Sequence, residues 1–200
     1  MRISLRSTAA RAGVLALAGG IVAFTAGVAQ AVTPGWTPDP NAAGGLYFYD
    51  ASGHQITSGS INDSPMAAYY VASGGGILSG NNRAFQATST PVQGSNSATW
   101  PGTQTISSTQ TFPPAGALPG DLAGFTGALV NGVATDGSLQ ANQIANFPNS
   151  SAVAGYQNLY EVRMYTTGGA GGQSSTWYSA TVEVTGTTWT QVFPVQTTTT

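Results

Sequence analysis

The 200-residue chain contains no cysteine, no lysine and a single histidine, His54, and only 6% of its residues are charged, against about 25% in ordinary globular domains. Each absence removes a class of chemistry. Without cysteine there is no disulfide, thiol nucleophile, thiolate zinc site or redox pair. Without lysine there is no phosphate-gripping P-loop, no Schiff base and no Ser-Lys hydrolase. One histidine cannot build a His-rich metal site. A Ser-His-Asp triad would have to use His54, and no G-x-S-x-G nucleophile elbow accompanies it.

Positive charge is equally scarce. Three of the five arginines, Arg2, Arg6 and Arg11, lie at the start of the chain, ahead of an apolar run from Val14 to Val28 and the small-residue pattern Ala29-Gln30-Ala31. That order reads as a secretory signal peptide over residues 1–31, cleaved after Ala31. The apolar run is shorter than a comfortable bilayer span, so it is read as removed rather than retained. The expected mature chain is 169 residues, enough for one core-forming domain. It keeps two cations, Arg83 and Arg163, against seven acids, a formal charge of −5. Such a surface cannot neutralise phosphates, which excludes nucleic acid and disfavours anionic membrane surfaces. Solubility must come from Ser, Thr, Asn, Gln and Gly. The expected setting is extracellular, secreted or at the cell surface, with no membrane insertion after leader removal.

What is present is β-patterned. Residues 32–45 are rich in Pro, Gly and Asn and read as an extended lead-in. Residues 46–195 read as the folded domain. Leu46–Asp50, a turn at Ala51-Ser52-Gly53 and a return over His54–Thr57 make a hairpin. Met66–Ser73 and Arg83–Ser89 read as strands, and Thr103–Phe112 as extended. Pro113–Ser151 is loop-like, with one candidate short helix over Ser138–Phe147, Asp136 near its N-cap and Pro148 as its stop. The sharpest alternation lies near the end. Tyr160, Val162 and Met164 share one face of a strand, with Glu161 and Arg163 on the other; Tyr178, Ala180, Val182 and Val184 alternate with Ser179, Thr181, Glu183 and Thr185. Gly186 then allows a tight turn into Thr187–Val195. Short strands with one wet face and no βαβ spacing predict an all-β fold, an antiparallel β-sandwich of Ig-like or jelly-roll-like type, with long Gly/Pro/Ala-rich loops and at most one short helix. Residues 196–200 read as a Thr-rich linker or tail.

Three stretches, Gly35-Trp36-Thr37-Pro38-Asp39-Pro40, Leu46–Gly53 and Gly186–Pro194, together with the threonine run, resemble the N-terminal domain of exported actinobacterial proteins that continue into bacterial Ig-like repeats. The resemblance implies a secreted or cell-surface multidomain protein with Ig-like domains downstream. It transfers no catalytic residues.

The remaining candidates each have a plain structural reading beside the chemical one. Glu161 and Glu183 could meet across a sheet as the carboxylate pair of a glycoside hydrolase, but Arg163, two residues from Glu161, explains it as a surface ion pair. His54 follows a hairpin turn and reads as an exposed strand residue. Asp63, Asp121 and Asp136 suit turns and caps; Asp136-Gly137-Ser138 leaves room for one structural calcium without the spacing of an EF-hand. Gly168–Gly172 leads into a strand and not a helix, so it reads as a mobile loop and not a dinucleotide site. Trp36, Trp100, Trp177 and Trp189 lie beside polar sequence and are the candidate ligand-binding residues, since sugar faces stack on aromatic rings. For Trp177 and Trp189 the sandwich core is the favoured reading, while Trp36 and Trp100 are expected to be more exposed. No catalytic residue, metal ligand or cofactor is assigned. The leading expectation is a non-enzymatic structural, adhesion or display module; the alternatives are a carbohydrate-binding module for polysaccharide or cell-wall glycan, and a carboxylate hydrolase.

Overall fold

Eleven strands form a curled, sandwich-like sheet system in the computed structural model, which describes residues 34–151, 153 and 155–195. The expected signal peptide and threonine tail lie outside the described residues. The strands are β1 Ala42–Tyr49, β2 Gln55–Ile56, β3 Ser58–Ser60, β4 Tyr69–Ala72, β5 Arg83–Ser89, β6 Gln104–Thr105, β7 Gln110–Thr111, β8 Leu129–Asn131, β9 Leu159–Thr167, β10 Trp177–Thr185 and β11 Thr188–Phe193. One layer runs from β6 and β7 through β5, β9 and β10 to β11 and β3; the other holds β2, β1, β4 and β8.

The all-β architecture is as expected, but the sheet is mixed. Nearly every pairing is antiparallel; β1 instead joins β10 in parallel through Ala42–Gly45. The reason is competition for one edge. β11 occupies the same side of β10 from Thr181 to Thr185, running toward β1 head to head. β1 therefore leaves β10 at Gly44-Gly45 and passes into the second layer, where Leu46–Tyr49 pairs with β4. A side chain on Gly45 would strike Pro194, and one on Gly44 would strike Ser73 and the Tyr178 ring. Strand β1 thus begins inside the expected lead-in, at Ala42.

The 50–54 turn forms as its residues dictate. Asp50 Oδ1 accepts the backbone N–H groups of Ser52 and His54 at 2.9 Å, and Gly53 takes φ +80°. The candidate helix shrinks to a single π-helical turn at Gln140–Ile144. Ahead of it Ser138 Oγ accepts Ala141 N–H, while Asp136 closes a preceding 3₁₀ turn by accepting Val133 N–H. Gly168–Gly172 is a loop, tied down by Asn81 Nδ2 donating to Gly172 O at 2.9 Å.

The central core lies between the layers. Leu46, Phe48, Tyr70 and Val130 meet Tyr160, Val162, Met164, Ala180, Val182 and Trp189. These are the apolar faces that period-two alternation picks out. Contrary to the expectation of one wet face, the opposite faces are covered as well. Leu118, Leu122 and Phe125 cover Val71 and Leu129 on the outside of the second layer. On the outside of the first layer, Trp36, Trp100 and Tyr156 lie over Leu159. The long loops are a second skin, so both faces of the central strands are buried.

Neutral amides anchor that skin. Gln110 reaches the edge strand β8, donating from Nε2 to Asn131 O at 2.7 Å and accepting Asn131 N–H at Oε1. Asn149 Nδ2 donates to the carbonyls of Tyr156 and Leu159. Gln143 Oε1 accepts from Thr88, and its Nε2 donates to Thr90 Oγ1. Trp189, with no exposed area and its ring 5.1 Å from that of Phe48, joins the layers. Replacing it by alanine is expected to lower stability by about 3–5 kcal/mol, read as an earlier urea-unfolding midpoint at unchanged slope.

Candidate functional site

The outer face of β9 carries Glu161, Arg163 and Tyr165, and the pairing of β9 with β5 and β10 sets Ser89 and Thr181 opposite Glu161 and Ala87 and Ser179 opposite Arg163. Two arms cover this face: the turn-rich segment 34–41 and the loop 92–100. Asp39 comes from the first, Ser97 and Trp100 from the second.

These residues form one buried charge cluster. Arg163 Nε donates to Glu161 Oε1 at 2.5 Å, and Arg163 Nη2 donates to the carbonyl oxygen of Ser97 at 2.8 Å. Nη2 is also 4.0 Å from Asp39 Oδ2. Asp39 accepts three further hydrogen bonds, from Ser97 Oγ, from Asn41 N–H and from Trp177 Nε1. The guanidinium lies between two indoles, its carbon 4.0 Å from the Trp177 ring centroid and 5.2 Å from that of Trp100. The Arg163, Glu161 and Asp39 side chains have no exposed area.

The expected surface ion pair is therefore an interior one. Period-two alternation identifies which residues share a face, but not that separate arms cover it. The charges do not cancel: two carboxyl groups surround one guanidinium. Burial pushes the Glu161 carboxyl up to about 8, against the lowering effect of Arg163 and with further upward pressure from Asp39. Glu161 is thus the carboxylic acid at neutral pH.

The other candidates separate from this cluster. Glu183 is exposed and pairs with Leu159, so it does not join Glu161. His54 Nδ1 is 3.3 Å from Asp121 Oδ2, with both side chains about two-thirds exposed, a geometry worth little energetically. Asp63 accepts Ser60 N–H in a turn. Among the described residues, no three His, Asp or Glu side chains converge as a metal site, and no helix is long and apolar enough to cross a membrane.

The four tryptophans divide differently from expectation. Trp189 is central core and Trp177 is the floor of the Arg163 site, so neither offers a face to a ligand. Trp36 and Trp100, expected to be exposed, are 7% and 3% accessible. They pack edge to face at 5.3 Å, with Tyr156 4.6 Å from Trp36. What they present outward is the wall of a cleft of about 470 Å³, shared with Asn41, Asn96, Ser97 and Tyr156 and lined by no charged side chain. Asn41 Nδ2 donates to both Asn96 Oδ1 and Ser97 Oγ, joining the two arms across the cleft. Sequence reading missed Asp39, Ser97 and Tyr156. The available signal was an arginine and a glutamate two residues apart on one strand of a chain nearly devoid of cations.

No protein-family model, curated protein or solved structure matches the chain.

The cluster makes two measurable demands. Arg163→Met leaves two buried carboxyl groups without their cation, and is expected to cost about 3–5 kcal/mol in urea unfolding. The second concerns pH. Folded Glu161 keeps its proton to about pH 8, whereas the unfolded side chain releases it near 4.5. The folded state then holds the extra proton between these values, so this group's stabilisation is complete below about pH 4.5 and is lost as pH rises toward 8. The melting temperature is expected to fall across that window, with a shallower slope in Glu161→Gln.

Proposed function

We propose that the chain is an exported, non-enzymatic module with a structural, adhesion or display role in a larger extracellular protein, with Ig-like domains as its expected neighbours. The observation that supports this reading is the sealing of the acid cluster. A general acid must reach its substrate, and Glu161, the acidic group whose proton affinity is displaced furthest toward neutrality, has no exposed area. It is committed to Arg163 instead. The near-absence of lysine, histidine and cysteine chemistry points the same way, and the leader-like first 31 residues support export.

A second reading rests on the cleft. Trp36, Trp100 and Tyr156 give it aromatic walls, Asn41 and Asn96 give it amides, and no charged side chain lines it. A neutral glycan suits that lining: its apolar ring faces pack on aromatic edges while its hydroxyls meet amides. Cell-wall or other polysaccharide is the proposed ligand class.

Both readings can be tested on the secreted protein. Its mass is expected to correspond to a chain beginning at Val32. A panel of glycan and ester substrates is expected to yield no hydrolysis; turnover abolished by Glu161→Gln would replace the first reading with a carboxylate hydrolase. For the cleft, retention on insoluble polysaccharide is expected to be lost in Tyr156→Ala, a better probe than Trp36→Ala or Trp100→Ala because both indoles are interior. Failure to bind every polysaccharide in the panel would remove the second reading and leave the first.

A further inference from the structure

We propose that the Asp39–Arg163–Glu161 cluster is a proton-operated latch on the aromatic cleft: losing the one proton that its charge balance requires frees segments 34–41 and 92–100 from the sheet and opens the cleft toward Arg163. The inference concerns the movement of the cleft walls. It rests on the cleft as a place and not on glycan as its occupant.

Among the described residues, the backbone hydrogen bonds of 92–100 stay within the loop, Ser95 to Val92, Thr99 to Asn96 and Trp100 to Ser97; the nearest backbone tie to a strand is at its end, Thr90 N–H to Pro101 O. The middle of the loop is held through the cluster, by Arg163 on Ser97 O and by Ser97 Oγ on Asp39. Segment 34–41 is held by Asp39 on Trp177 and Ser97 and, at the end that leads into β1, by Trp177 N–H donating to Asn41 O at 3.4 Å. These bonds both neutralise the buried charge and fasten the walls, alongside the Asn41 amide on Asn96 and Ser97 and the packing of Trp36 and Trp100 with Leu159. Trp100 belongs to both structures, stacking over Arg163 and lining the cleft.

With one proton on the carboxyl pair, the cluster is neutral. Without it, two anions face one cation in a site with no exposed area. Glu161 Oε2 has no hydrogen-bond partner among the described residues, and the unpartnered donors Arg163 Nη1 and Ser179 Oγ are not bonded to it, so a new charge there meets no donor already in place. An unbalanced buried charge is costly, and hydrating it by lifting the two loop arms leaves the ladders of β9 with β5 and β10 intact. The groups around Glu161 focus the response on this one proton. Its own strand contributes Arg163 and, further along, Tyr165; the 34–41 arm contributes Asp39. Strand β10 places Ser179 and Thr181 there, with exposed Glu183 beyond them, and β5 places Ala87 and Ser89. The 92–100 loop adds no titratable side chain. Burial of Glu161 sets the release near pH 8.

The test is acrylamide quenching of tryptophan fluorescence in the intact secreted protein, titrated from about pH 6 to about pH 9.5, below bulk tyrosine ionisation. Far-UV circular dichroism is followed in parallel. Expected is a one-proton rise in quenching centred near pH 8, with the β spectrum unchanged. Glu161→Gln should lose the step, because its side chain cannot ionise. Asp39→Asn should lose it by the opposite route, since ionised Glu161 then balances Arg163. A step that survives in either variant, loss of the β spectrum together with the step, or no step in the unaltered protein would each overturn the latch. Because the readout needs no glycan, the latch and the glycan reading can fail independently.

Discussion

Arg163 is the point on which the outer half of this protein is organised. A guanidinium cannot be left dry and unpaired, so burying it requires an anion, a carbonyl acceptor and aromatic faces. Asp39, Ser97 O, Trp100 and Trp177 provide them from three parts of the chain separated by up to 138 residues. Because Asp39 and Ser97 lie on arms outside the strands, the pairing of one side chain contributes to where two loops lie. Buried ion clusters are weak sources of net stability but strong determinants of arrangement. Here the arrangement is the cleft.

The same logic explains the unusual composition. A sandwich with one wet face needs charged residues on that face. In this protein, the inner faces of the central strands meet in the core and loops cover their outer faces, leaving little exposed sheet for charges to solvate. Outside the Arg163 cluster, the polar work moves inward and is done by uncharged groups. Gln110, Gln143 and Asn149 hold loops through hydrogen bonds with buried or edge peptide groups and hydroxyls. An amide both donates and accepts, so it can satisfy a peptide group without bringing an ionic desolvation penalty into the interior. The scarcity of charge and the abundance of Asn, Gln, Ser and Thr are consequences of this covered design.

The strands were legible where local pattern controls them. Arg83–Ser89 is β5 at the predicted bounds, and the inward residues of β9 and β10 are those named by alternation. The hairpin at Asp50–His54 follows from an acceptor and a glycine at the right spacing. What was illegible depends on residues distant in sequence. Nothing around Glu161 indicates that Asp39 and the 92–100 loop will cover it. Nothing around Trp36 or Trp100 indicates that they will pack on one another. The parallel β1–β10 contact also escapes a reading of single strands, because it arises from β11 claiming the rest of that edge. Alternation assigns residues to faces; only tertiary packing determines whether a face meets water.

The amide of Gln110 has a consequence for how such molecules behave when crowded. Where β8 ends the second layer, the peptide groups of Asn131 are engaged by a side chain from the same molecule, so an approaching copy finds that stretch of backbone occupied. Strand-by-strand recruitment of neighbours, the route by which dense populations of β proteins convert into fibrils, is blocked there at the first rung. The chain carries its own stopper at that rung, made from one neutral residue and independent of electrostatic repulsion between copies.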